Sequence, residues 1–109
     1  DCVEVINREV GKPDMIIGTG GGTRSELCNQ MKADCLGIPF QVMESENATG
    51  IGAGILAGMV EGVFQTTEEA IERYVKKGKL YIPDQTKKAG YDEAYRRYLK
   101  CQEVCQELF

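Results

Sequence analysis

The sequence contains no histidine, no Cys-x-x-Cys pair, few aromatic residues (7%) and no apolar run long enough to span a bilayer. Each absence removes a class of function. The five cysteines, Cys2, Cys28, Cys35, Cys101 and Cys105, are odd in number and have no histidine to complete a mixed zinc site, so they are assigned neither to a metal nor to a disulfide framework. Reduced thiols fit a cytoplasmic protein. No basic head followed by an apolar stretch marks the N-terminus, and the glycine-rich run from Ile51 to Val60 is too short for a membrane anchor. Positive charge is also in deficit: 13 Lys and Arg face 17 Asp and Glu, for a formal net charge of −4. A nucleic-acid binder held by phosphate contacts is therefore disfavoured. Lys76, Lys77, Lys79, Lys87 and Lys88 form a local basic cluster, which reads as solvated surface.

What is present fits one small domain: 109 residues with 42% hydrophobic content. Apolar Cys2, Val3, Ile6 and Val10 recur at helical steps before Gly11 and Pro13, which predicts a short first helix. Asp14 to Gly18 reads as a buried strand. Thr23 and Glu26 have capping-box spacing ahead of a helix over 24–36, which Gly37 and Pro39 close. Phe40 to Glu44 predicts a second strand, and Ser45, Asn47 and Thr49 offer caps for a helix ending near Gly62. Thr66 and Glu69 repeat the capping-box spacing before a helix that Gly78 ends. Asp84 to Gly90 reads as a linker. A last helix after Gly90 carries the stripe Ala94, Tyr98, Cys101, Cys105 and Leu108, with the two thiols expected as packing residues.

The most informative segment is Gly18-Thr19-Gly20-Gly21-Gly22-Thr23-Arg24-Ser25, between a strand and a capped helix. Glycines permit positive φ and close approach of a ligand, and the free N–H groups at a helix start favour an anionic group such as phosphate. A turn with no ligand is the plain alternative. Gly18-x-Gly20-x-x-Thr23, with Glu44 at the end of the next strand as a ribose-binding acid, imitates a dinucleotide fingerprint of NAD-type domains, although Thr stands where that pattern has Gly or Ala. A Walker loop is excluded, because no Gly-Lys-Ser/Thr triplet occurs. A third reading is a non-enzymatic interaction module presenting its tyrosine-bearing last helix.

Three motifs together carry a resemblance: Gly20-Gly21-Gly22-Thr23-Arg24-Ser25, then Gln30 to Pro39, then Glu46-Asn47-Ala48-Thr49-Gly50-Ile51-Gly52-Ala53. In order and spacing they resemble the C-terminal part of FGGY carbohydrate kinases, of the xylulokinase and glycerol kinase kind. Tyr81-Ile82-Pro83-Asp84 followed by Tyr91, Tyr95 and Tyr98 resembles the family's ending. The resemblance implies an α/β fold, part of a ribonuclease-H-like (actin- and hexokinase-like ATPase) domain with a short parallel sheet flanked by helices. Residues 1–109 would be the C-terminal part of the nucleotide-binding domain of a two-domain sugar kinase, without its N-terminal sugar domain. It also implies that Gly20, Gly21, Gly22 and Ser25 contact ATP, Ser25 standing where glycerol kinases have Asn. The Mg²⁺ ligands, the catalytic base and the sugar pocket would lie in upstream sequence, so none of these residues is given a catalytic role and the sugar or polyol is not encoded. The intact protein would transfer the γ-phosphoryl of ATP to a sugar or polyol hydroxyl, leaving ADP, while this segment alone would be inactive and would self-associate as a homodimer.

Asp34, Glu44 and Glu46 are the acids nearest the glycine turn, and each is read as structural or surface. Asp34 is singled out because it lies inside the second motif. Gly50, Gly54 and Gly58, widened by Ala53 and Ala57, form a small-residue stripe suited to close packing in the domain.

Overall fold

The computed structural model describes residues 2–45 and 47–106. In chain order the elements are α1 (Cys2–Val10), β1 (Ile16–Gly18), a 3₁₀ turn (Gly21–Thr23), α2 (Glu26–Leu36), β2 (Phe40–Met43), α3 (Ala48–Val60), α4 (Thr67–Tyr74), β3 (Lys77–Tyr81), a second 3₁₀ turn (Gln85–Lys87) and α5 (Lys88–Gln106). Strand order is β1-β2-β3, and β1 pairs with β2 in parallel, with Ile16 opposite Phe40 and Gly18 opposite Val42. The expected α/β core with helices around a short sheet is therefore present. The sheet is mixed, however. β3 runs antiparallel to β2, and Gly78 lies inside this strand instead of ending the preceding helix, which stops at Tyr74.

A bulge between Gln41 and Met43 makes room for β3. The buried Gln41 amide serves it: Nε2 donates to Gly78 O and Val42 O, both at 2.8 Å. Gly78 packs closely there, since a Cβ would sit 3.2 Å from Val42 O, tighter than most Cβ contacts. The core is small. Ala33, Phe40 and Tyr81 form its centre, with Ile16 and Val42 packed against them. A second contact joins α3 to α4, where the Phe64 and Tyr74 rings meet edge to face at 5.6 Å. Gly58 admits the Phe64 ring, because a Cβ there would lie 2.5 Å from it, whereas Gly54 faces open space. Gly50 also leaves room for a side chain, since a Cβ there would lie 2.5 Å from Asn47 Nδ2, so the stripe serves packing at Gly50 and Gly58.

The caps follow short polar side chains, as capping physics requires. Asn47 accepts from Gly50 N at 2.9 Å, and Thr66 accepts from Glu69 N at 3.2 Å while Glu69 accepts from Gln65 N. One cap differs from expectation. Ser25 caps α2 by accepting from Cys28 N, while Thr23 turns its hydroxyl back onto Gly20 O at 2.7 Å.

The stretch from Asp84 to Gly90 is not a linker. Gln85 to Lys87 form a 3₁₀ turn and α5 begins at Lys88, so Gly90 lies within the helix. Asp34 is what orders this stretch. Its carboxylate is 2% exposed and accepts from Asp84 N at 2.8 Å, Gln30 Nε2 at 2.7 Å and Lys87 Nζ at 3.3 Å. Gln30 also donates to Ile82 O at 2.8 Å. Asp34 thus plays the structural part read from sequence, tying the chain between β3 and α5 to α2.

The expected burial of the α5 stripe is not found. Cys101 and Cys105 are exposed, as is Tyr98, because no element among the described residues covers that face; Leu108 and Glu46 lie outside the described residues. The radius of gyration, 18.3 Å, exceeds the about 13 Å of a compact chain of this length. Val5, Ile6 and Val10 of α1 are likewise exposed.

The hydrogen bonds from Asp84 and then Gln30 hold the Asp34 carboxyl below its usual value of 3.8, with Lys87 acting in the same direction. Its contribution to stability is complete above the unfolded-state pKa and is lost as pH falls through the lower folded-state value. Asp34→Ala is expected to lower the thermal midpoint at neutral pH and to flatten its acid-limb dependence. An unchanged midpoint and an unchanged acid limb would contradict the anchoring role.

Candidate functional site

The glycine turn leaves the sheet at Gly18, where the missing side chain has a packing reason. A Cβ on Gly18 would sit 2.3 Å from Phe40 Cζ, so the Phe40 ring occupies that space on the neighbouring strand. Beyond it, Gly20 adopts φ of 81° and ψ of −175°, which favours glycine. Gly21 and Gly22 have neither reason. Neither has positive φ, and a Cβ on Gly20, Gly21 or Gly22 would meet nothing within 4 Å. Positive φ thus falls on Gly20 alone among the three.

Side chains of the turn and α2 engage its carbonyls. Thr23 donates to Gly20 O through both N (3.0 Å) and Oγ1 (2.7 Å). The buried Asn29 amide donates to Thr23 O at 2.8 Å, and Lys32 Nζ donates to Gly22 O at 2.9 Å. With the carbonyls engaged, the turn offers the N–H groups of its first residues, which have no intrahelical partner by construction. Those of the α2 start lie beside them. Ser25, as the cap, spends an oxygen lone pair on Cys28 N, which leaves its O–H as a donor. Asn29 Oδ1 has no hydrogen-bond partner among the described residues.

The predicted contacts Gly20, Gly21, Gly22 and Ser25 therefore share one exposed turn and helix start. Glu44 is exposed beyond β2, where its N–H donates to Lys76 O. Sequence reading missed Asn29 and Lys32. A polar residue four positions after Ser25 and a lysine three further on give no sign that both reach back to the turn. The turn is also a single wall. A groove of about 590 Å³ lies between α1 and α5, a cavity of about 320 Å³ lies between α3 and α4, and a cleft of about 140 Å³ borders Thr19. None of these three is lined by Gly20, Gly21, Gly22 or Ser25.

In the α1–α5 groove Tyr95 donates to Glu4 Oε2 at 2.6 Å, a bond that lowers the Glu4 pKa and pushes Tyr95 up to about 12. The basic cluster is largely consumed by ion pairs: Lys79 with Glu26, Lys87 with Asp34 and Asp84, Lys88 with Asp92. Among the described residues no group of three His, Cys, Asp or Glu is placed to hold a metal, and the cysteines carry free thiols. No described helix is long and apolar enough to cross a membrane.

A parallel strand that feeds a glycine turn and a capped helix, within a sheet flanked by helices, defines an α/β domain. The profile of the FGGY family of carbohydrate kinases, C-terminal domain, matches residues 1–61, and the chain belongs to that family. It is 34% identical over 83 residues to an autoinducer-2 kinase of Yersinia pestis (strain Pestoides F), which covers 76% of this chain and 16% of that protein. The chain therefore spans about one sixth of the length of such curated relatives. Among solved structures it is similar to a ligand-bound xylulose kinase from Lactobacillus acidophilus (TM-score 0.76, 25% identity, 85% of this chain, 19% of that one). A xylulose kinase from Rhodospirillum rubrum superposes over 98% of this chain and 22% of its own, with TM-score 0.82 at 24% identity. These neighbours share the actin- and hexokinase-like ATPase fold.

The glycines divide by mechanism in a testable way. Gly18→Ala is expected to destabilise by about 1–3 kcal/mol, because the Phe40 ring must move. Gly22→Ala should be neutral or stabilising by up to about 1 kcal/mol, since its Cβ meets nothing and only unfolded-state entropy changes. Thermal unfolding of the two variants separates the cases, and equal effects would contradict the assignment.

Proposed function

We propose that this chain supplies the adenosine-side wall of an ATP-dependent carbohydrate kinase. Membership of the FGGY family supports kinase chemistry for the intact protein. The observation that carries the nucleotide reading is the pair Gly21–Gly22, two glycines that neither backbone conformation nor internal packing requires. Their remaining use is to let a ligand lie against the backbone. ATP fits the donors present: N–H groups of the turn and helix start face an anion, and the Ser25 hydroxyl has a proton to give. Bound ATP would supply the phosphoryl group that passes to the acceptor hydroxyl.

Gly20, Gly21, Gly22 and Ser25 hold the nucleotide on this reading. The Mg²⁺ ligands, the base and the sugar or polyol pocket come from sequence outside this chain, and none of its described acids takes those roles. Asp34 in particular is spent on Asp84, Gln30 and Lys87. The relatives, an autoinducer-2 kinase and xylulose kinases, point to a small polyhydroxylated acceptor. The apolar faces of α1 and α5 are covered by the rest of the kinase, and the chain isolated from it pairs through them as an inactive homodimer.

The dinucleotide alternative needs Glu44 on a ribose and is displaced by the family. Binding of ATP to the intact kinase is the direct test. Gly21→Val, which fills the approach without touching the core, is expected to weaken ATP by about tenfold or more, a loss of about 1.4 kcal/mol. Unchanged ATP affinity in the folded variant would overturn the reading.

A further inference from the structure

Lys32 sits on α2 seven residues after Ser25, and two contacts fix its ammonium. Nζ donates to Gly22 O at 2.9 Å and lies 5.2 Å from the centroid of the Phe40 ring. The lysines Lys79, Lys87 and Lys88 each meet a carboxylate, whereas the Lys32 ammonium meets none among the described residues. Its charge is therefore left uncompensated beside the last glycine of the turn.

These contacts form one connected column. The absent Gly18 side chain lets the Phe40 ring seat against β1, the ring face attracts the ammonium, and the ammonium holds the Gly22 carbonyl. Asn29 and Thr23 hold the carbonyls of Thr23 and Gly20. Gly22 is the carbonyl of this set whose side-chain support comes from a cation. The Gly22 C=O shares its peptide with the Thr23 N–H, and the Gly21–Gly22 peptide before it carries the Gly22 N–H, so fixing the C=O at one side of Gly22 limits how that N–H can turn.

We propose that Lys32 is a positioning residue of the nucleotide site, which pre-orients the Gly21–Gly22 backbone for the anionic ligand and adds an uncompensated positive charge beside it. It does not need to touch the nucleotide. The proposal rests on the glycine turn being the ATP site, so its test carries a control for that reading.

ATP binding to the intact kinase is measured by calorimetry for Lys32→Met, Lys32→Arg and Gly21→Val, with thermal midpoints of the ligand-free proteins alongside. Met keeps the apolar stem over Phe40 and loses the donor and charge, whereas Arg restores both. Lys32→Met is expected to weaken ATP by about fivefold, the size of one partly exposed hydrogen bond, at a midpoint close to that of the parent. Lys32→Arg should recover most of that affinity. If Gly21→Val weakens ATP and Lys32→Met does not, the positioning role is wrong and the site stands. Loss of affinity that Arg does not recover, or that tracks a fallen midpoint, would reduce Lys32 to a packing residue and overturn the proposal. If Gly21→Val has no effect, the site itself is wrong, and the proposal falls with it.

Discussion

The seating of the Phe40 ring in the space left by the Gly18 side chain is the contact on which the rest depends. It brings β1 against β2 in the register that opposes Gly18 to Val42, and it sets the point where the chain leaves the sheet. A larger residue at Gly18 would push the ring out of a core that is centred on only three side chains, Ala33, Phe40 and Tyr81. A core so small has no slack for such a shift, because dense packing makes even one added methyl felt. The glycine turn is thus held by the same contact that joins the strands. Its Gly20, Gly22 and Thr23 carbonyls are engaged by Thr23, Lys32 and Asn29.

The second constraint is Asp34. A carboxylate this enclosed must have its lone pairs satisfied, and it draws its donors from Asp84 and Lys87, far along the chain, as well as from Gln30 on its own helix. Those bonds fasten the start of α5 to α2, the helix that carries the site. The far half of α5 and the outer face of α1 remain bare, with Tyr98, Val104, Val5 and Val10 exposed. Order in this structure thus comes from polar anchors and a narrow core, with apolar faces of α1 and α5 uncovered among the described residues.

Sequence reading succeeded where the signal was local. Proline and glycine bounded β1, Gly37 takes the left-handed cap of α2, and Asn47 and Thr66 cap their helices. It failed where two local partners competed or where the deciding partner was distant. Thr23 and Ser25 are both competent caps, and only the fold, by aiming the Thr23 hydroxyl at Gly20 O, leaves the helix to Ser25. β3 was hidden because Lys77, Gly78 and Lys79 have neither apolar alternation nor β-branching, and their strand exists through the Gln41 amide and pairing with β2. Gly90 looked like a helix stop, yet the turn ordered by Asp34 starts α5 before it. Of the candidate site, glycine spacing and family likeness single out Gly20, Gly21, Gly22 and Ser25, and the fold places these four on one turn and helix start. Asn29 and Lys32 were not legible, because a side chain that folds back one or two turns leaves no trace in composition.

A nucleotide lying against the Gly20–Ser25 turn would shield the backbone amides there from solvent. Amide hydrogen exchange of the intact kinase, with and without saturating ADP, reads this backbone directly. Slowed exchange concentrated in peptides spanning residues 18–29, with the α1–α5 groove unaffected, is the expected result. Protection confined to α1 and α5, or none in 18–29, would place the nucleotide elsewhere and contradict the account.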